Sequence, residues 1–288
     1  MQLKANGITL EVQDHGEAAN PALILIRGLG TQLVHWPDNL INGFVAAGFR
    51  TIVFDNRDVG LSQRFDDAPA LSQADDIIAA AMRGEALEEA YALTDMAADV
   101  IGIMDALGIK RAHIFGISMG GAIAQLLALH HPERLLTDTI VMTTCRPLVE
   151  RGAVAELLPQ LVARDDASLE AAEDALMAEY GIWGSPGYPA DEAYIRAQAR
   201  AAYLRGGPKA AGINRQPCAD RGGRSGLLLG GCGVQHRRAA IPECDLARLC
   251  PHRFDLLFRR HCAWRSARIL NICTPAKSGI PDRMELLT

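Results

Sequence analysis

Residues 112–121, Ala112-His113-Ile114-Phe115-Gly116-Ile117-Ser118-Met119-Gly120-Gly121, decide how this 288-residue chain folds. The opening run, Ala112-His113-Ile114-Phe115, is short, apolar and unalternating, as in a strand buried on both faces of a sheet. The next residues read G-x-S-x-G and lead into a helical pattern over residues 119–130, which stops ahead of Pro132. A strand that turns into a helix through one serine forces strained backbone angles on that serine. Glycines on either side remove side chains that would otherwise collide. The helix then points its unpaired N–H groups and positive dipole end at the serine hydroxyl. The pattern predicts a nucleophile elbow, with Ser118 as the nucleophile.

Working outward, Ala22-Leu23-Ile24-Leu25-Ile26, Thr51-Ile52-Val53-Phe54 and Thr139-Ile140-Val141-Met142 are three more buried-strand runs. Ile8-Thr9-Leu10-Glu11-Val12 alternates like a half-buried strand, and Asn6-Gly7 before it suits a tight hairpin turn. Helical spacing covers residues 40–47 and about 95–107, the latter with Thr94 as the expected N-cap and Gly108 as the stop. Strands alternating with helices predict an α/β fold with a doubly wound, mostly parallel sheet. Past about residue 149 the strand signal disappears. Residues 153–163, 168–180 and 191–204 read as helices, with Gly184-Ser185-Pro186-Gly187 as a break. A helical block inserted after a parallel strand is expected to form a lid over the sheet edge where ligands bind. The expected division is a core nucleophile half over 1–145, a helical lid over 146–210 and an atypical segment over 211–288.

Two further loops surround the elbow. Arg27-Gly28-Leu29-Gly30 follows a predicted strand, and a glycine-rich loop there brings a backbone N–H to a developing oxyanion. The two oxyanion-hole donors would be the N–H groups of Leu29 and Met119. Phe54-Asp55-Asn56-Arg57-Asp58-Val59-Gly60-Leu61-Ser62 places a polar run at a strand end. Its expected role is structural, holding neighbouring loops by charge-assisted hydrogen bonds.

Together these stretches resemble the α/β-hydrolase superfamily, and within it enzymes like aclacinomycin methylesterase. The similarity also covers His35-Trp36-Pro37, Tyr91 through Ala97, His131-Pro132-Glu133-Arg134-Leu135 and the Gly184 to Gly187 break, over residues 1 to about 216. It implies an α/β-hydrolase fold and hydrolysis of carboxylic esters of small or medium organic substrates through an acyl-Ser118 intermediate, with no metal and no cofactor. A proline-releasing aminopeptidase activity on the same fold stays open as an alternative. Dehalogenase and epoxide-hydrolase chemistry is disfavoured, because those relatives carry aspartate where Ser118 stands.

The resemblance also implies an acid and then a histidine after the nucleophile, and there the pattern breaks. His236, His252 and His261 are each flanked by arginine, whose charge disfavours the imidazolium that a general base must become. Pairings of Asp245 with His252, or Asp255 with His261, have the right order without the expected strand-and-loop setting. A catalytically impaired, hydrolase-like protein is therefore a second alternative. Composition changes at the same place. Residues 214–288 hold 12 Arg and 1 Lys against 4 Asp and 2 Glu, a net +7, which leaves −12 of the chain's −5 for residues 1–213. Six of the seven cysteines lie there too, at spacings that match no zinc site. The abrupt change near Gln216 is what a reading-frame shift in a GC-rich gene would produce, and resequencing tests it. Sparse aromatic residues among the arginines argue against nucleic acid. No apolar stretch long enough for a membrane span and no signal-peptide block are present, so the expectation is a cytoplasmic protein acting on a small-molecule ester.

Overall fold

The computed structural model describes residues 1–65, 90–143, 168–184, 187 and 189–206. Strands β1 (Gln2–Ala5), β2 (Ile8–His15), β3 (Ala22–Ile26), β4 (Arg50–Phe54), β5 (Ala112–Ile117) and β6 (Leu135–Val141) form one sheet in the order β1-β2-β4-β3-β5-β6. β1 pairs antiparallel with β2, and β2 antiparallel with β4; β4, β3, β5 and β6 run parallel. The Asn6-Gly7 connection between β1 and β2 has positive φ at both residues, 49° and 78°. That is the backbone a two-residue hairpin turn with the twist of its strands demands.

Every residue of β3 is buried, which explains its continuous apolar run. Alternation along the central strands sorts the core into two layers. Ile24, Ile26, Ile52, Phe54 and Ile114 face helices α2 (Leu93–Ala106) and α3 (Met119–His130), meeting Met96, Val100, Ile103, Ile123 and Leu127. Leu23, Leu25 and Val53 face α1 (Asp38–Ala46), meeting Trp36, Leu40, Ile41 and Phe44. The doubly wound, mostly parallel architecture read from the sequence is the one observed.

Element ends differ in detail. Helix α2 begins at Leu93, so Thr94 lies inside it and is not its N-cap. The Asp95 carboxylate instead accepts the Ala92 N–H at 2.7 Å, closing the helix start from within its own first turn. Helix α4 (Leu169–Trp183) is capped by Ser168, whose hydroxyl accepts the Ala171 N–H at 3.1 Å, and runs three residues past the expected end. Helix α5 (Glu192–Gly206) completes the described elements. The predicted helix over 153–163 and the atypical segment over 211–288 lie outside the described residues. So do His236, His252, His261, Asp245 and Asp255. Among the described residues no helix is long and apolar enough to cross a membrane.

Helices α4 and α5 pack through Leu176, Ile195 and Ala199, with Arg196 and Arg200 bridging to Asp174 and Glu173 at 2.8 and 2.9 Å. The pair is fastened to the sheet by polar contacts. Gln32 Nε2 donates to the Ala202 carbonyl at 2.9 Å, and Gln198 Nε2 donates to the His35 carbonyl at 3.3 Å. Arg205 reaches the buried Asp55 at 2.5 Å.

Candidate active site

The site forms where β5 ends. Ser118 follows Ile117, and its N–H donates to the Val141 carbonyl at 2.9 Å, extending the β5–β6 ladder by one rung to the serine itself. Its carbonyl then accepts the N–H groups of Gly121 and Ala122, at 2.9 and 3.2 Å, and starts helix α3. One residue thus closes a strand and opens a helix. Its backbone records the conflict: φ is 56° and ψ is −122°. That lies outside the left-handed helical region as well as the common ones, where a residue bearing a Cβ is held at a cost of about 1–3 kcal/mol.

Absent side chains let the turn close. A Cβ on Gly116 would lie 2.2 Å from the Gly120 carbonyl oxygen, and one on Gly120 would lie 2.2 Å from the Ile26 carbonyl oxygen. Real Cβ atoms do not approach that closely. Helix α3 therefore starts pressed against the end of β3, and this contact brings the loop after β3 onto the serine. A Cβ on Gly28 would sit 3.1 Å from Ser118 Cβ and 3.5 Å from Oγ. Leu29, next in that loop, is half-buried against the core, and Met119 is buried at the first position of α3. The N–H of a first helical position has no partner within its helix. Ser118, Gly28, Leu29 and Met119, singled out from two stretches of sequence, thus belong to one neighbourhood.

The loop is tied down on both sides. Thr31 Oγ1 donates to the Gly28 carbonyl at 2.9 Å and accepts from Arg27 Nε at 3.3 Å, while the Arg27 guanidinium lies 4.7 Å over the Trp36 ring. Asn56 Nδ2 donates to the Arg27 carbonyl at 3.3 Å.

The polar run after β4 is structural. Asp55 is fully buried and accepts the Leu33 N–H at 2.7 Å, the Leu61 N–H at 3.0 Å and Arg205 Nη1, so one carboxylate joins two loops and helix α5. Burial pushes its pKa up, and the hydrogen bond from Leu33 and the Arg205 charge act against that rise. Gly60, at φ 57°, leaves the room this requires, since a Cβ there would overlap the Asp55 carboxylate. Arg57 makes a two-pronged ion pair with the buried Asp99 at 2.6 and 2.7 Å and stacks 4.7 Å from the Tyr91 ring. Burial raises the Asp99 pKa, with Arg57 opposing it. Tyr91 donates to Asp58 at 2.6 Å, and burial raises its pKa too.

His113 and His35 are engaged elsewhere: His113 Nδ1 meets the Thr137 hydroxyl at 2.8 Å, and His35 Nδ1 accepts the Gln32 N–H at 3.0 Å. Burial lowers the His113 pKa. The sequence reading passed over Arg205, 150 residues from its partner Asp55. An arginine in the last turn of an amphipathic helix reads as an ordinary solvated charge, and no local signal marks it as the partner of a buried carboxylate.

Comparison with known proteins agrees with this fold. The sequence profile described as the alpha/beta hydrolase fold matches residues 21–168. The chain is similar to rhodomycin D methylesterase from Streptomyces peucetius, with 35% identity over 135 residues, 47% of this chain and 39% of that protein. It is also similar to 3-oxoadipate enol-lactonase 2 from Acinetobacter baylyi, with 30% identity over 151 residues, 52% of this chain and 47% of that one. These matches span less than half the length of either relative. Among solved structures, a carboxylesterase from the thaumarchaeon Nitrososphaera gargenis superposes with a TM-score of 0.51 at 20% identity, covering 75% of this chain and 73% of the other.

Proposed function

Because the chain belongs to the α/β-hydrolase fold family, we propose that it is a serine hydrolase that cleaves carboxylic esters of small or medium organic substrates through an acyl-Ser118 intermediate. One observation carries this reading: Ser118 holds a strained, positive-φ backbone at the junction of β5 and α3, with the Gly28 loop pressed against its Cβ. Strain of this kind is kept where it presents a reactive group. In this reading Ser118 Oγ attacks the ester carbonyl and gives up its proton to a histidine. The carbonyl oxygen gains negative charge, which the N–H groups of Leu29 and Met119 stabilise. The alcohol then leaves with that proton, and water releases the acid from the serine. Helices α4 and α5 act as the lid. Rhodomycin D methylesterase and an enol-lactonase, by name, act on carboxylic esters, which supports the substrate class.

A second reading, a hydrolase-like protein with impaired turnover, draws on the arginine-flanked His236, His252 and His261. Hydrolysis of p-nitrophenyl acetate and butyrate separates the two. The first reading expects turnover that Ser118→Ala removes by at least about 1,000-fold. Turnover equal in wild type and variant, or none in either, contradicts it.

A further inference from the structure

We propose that Gln32 is a positioning residue that couples helix α5 to the oxyanion loop, so that the Leu29 N–H is aimed at the reacting carbonyl only while α5 is docked. The inference rests on the hydrolase reading above, in which Leu29 supplies an oxyanion donor and α5 belongs to the lid. Gln32 follows Leu29 in the same loop and is 4% exposed. Both ends of its side-chain amide are taken by α5. Nε2 donates to the Ala202 carbonyl at 2.9 Å, and Oε1 accepts from Arg205 Nη1 at 3.1 Å. The same Arg205 nitrogen donates to Asp55 Oδ2, while Asp55 Oδ1 accepts the N–H of Leu33, the residue after Gln32. Helix α5 therefore grips the loop at adjacent residues, once through a side chain and once through the backbone.

At its other end the loop meets the nucleophile. Gly28-Leu29-Gly30-Thr31 is closed by the Thr31 N–H and hydroxyl, which donate to the Gly28 carbonyl at 3.4 and 2.9 Å. Gly30, at φ 63°, fits the third position of a type II turn, whose own hydrogen bond does not use the N–H of its second residue, Leu29. Gly28 is pressed against Ser118, and Gln32 is held by α5, so Leu29 lies between anchors on two different elements. Helix α5 supplies its anchor from one face, since Gln198, Ala202 and Arg205 recur at helical spacing. Gln198 Nε2 donates to the carbonyl of His35, which ends the single turn that Gln32 begins. An amide at residue 32 donates to a carbonyl and accepts from a guanidinium at once. A carboxylate keeps the second bond and loses the first, and a thioether makes neither.

The test compares full-length wild type with Gln32→Met, Gln32→Glu and Arg205→Met on p-nitrophenyl butyrate, with thermal melts to set the folded fraction. Inhibition by 1,1,1-trifluoro-2-hexanone runs in parallel, because addition of Ser118 Oγ to that ketone turns its carbonyl oxygen into an oxyanion. In Gln32→Met, kcat is expected to fall about 10- to 100-fold while KM stays within about threefold. The inhibition constant of the ketone should rise by the factor by which kcat/KM falls. Gln32→Glu, which keeps the Arg205 contact, should lie between wild type and Gln32→Met. Arg205→Met should lower kcat less, and its addition to Gln32→Met should cost less than about a further threefold. A kcat in Gln32→Met within about threefold of wild type, or a lowered kcat without weaker ketone binding, overturns the inference. Where Gln32→Met does not fold, Gln32→Glu and Arg205→Met carry the same comparison. Should no form hydrolyse the ester or bind the ketone, the hydrolase reading fails on its own, and amide exchange decides the coupling. In the Gln32→Met/Arg205→Met double variant, faster exchange over residues 28–31 supports it, and wild-type exchange there sinks it.

Discussion

Ser118 pairs a backbone that is costly for any residue with a Cβ with a hydroxyl that only serine supplies there. At ordinary helix positions alanine is favoured over glycine by about 1 kcal/mol. At φ 56° and ψ −122° the order should reverse. Ser118→Gly is expected to be more stable than Ser118→Ala by about 1–2 kcal/mol, read as the difference in urea midpoints at constant m-value. A result in the ordinary order would mean that the elbow relaxes once the hydroxyl is gone, so that the strain does not belong to the backbone. This was legible in the sequence because the requirement is local. A strand, a turn of minimal side chains and a helix occupy ten consecutive residues, and the chemistry follows from that order alone. The contact of Gly28 with Ser118 was also within reach, since both sit at predicted strand ends of one parallel sheet.

At the scale of elements, the attachment of α5 to the sheet turns on the Asp55–Arg205 pair. The carboxylate is fully buried while Arg205 keeps some exposure, so removal of the two partners should differ in cost. Arg205→Met leaves Asp55 with its two backbone donors and should lower stability by about 2 kcal/mol. Amide exchange in α4 and α5 should rise, while β3 and β5 stay protected. Asp55→Asn should cost more, because it weakens acceptance from Leu33, Leu61 and Arg205 together. Equal exchange in α5 before and after Arg205→Met would show that the Gln32–Ala202 and Gln198–His35 hydrogen bonds suffice. The polar run after β4 announced a structural role through its composition. Its main partner did not, because the pairing spans 150 residues and is set by where α5 docks. Helix ends were similarly beyond a local reading. Thr94 looks like a cap in sequence, yet the helix starts at Leu93 and the Asp95 carboxylate takes that role from within its first turn.

Across the whole molecule, the sheet's two layers followed from the apolar alternation of its strands, and what covers β6 did not. Among the described residues β6 is the last strand, with Ile140 and Met142 each 45% exposed. Asp138 in the same strand is half-buried, yet its Oδ1 is sealed from water and has no hydrogen-bond partner among the described residues. Loss of hydration pushes its pKa up to about 7 from 3.8. A carboxyl raised in the folded state favours folding below its unfolded pKa and withdraws that support as pH climbs through the folded value. Asp138→Asn should therefore match wild type near pH 4 and exceed it by about 2 kcal/mol at pH 8, after allowance for partial exposure. Parallel pH profiles for the two proteins would show that the carboxylate keeps its water. Of the charge asymmetry read from composition, −12 over residues 1–213 against +7 beyond, the basic part lies wholly outside the described residues.

The claim on which the rest depends is that Ser118 is an activated nucleophile. Intact-mass and peptide-mapping analysis of the full-length protein after incubation with a fluorophosphonate reads this directly. The account predicts a single adduct, located on Ser118, that is absent from Ser118→Ala. No adduct, or an adduct on another residue that persists in Ser118→Ala, would contradict it.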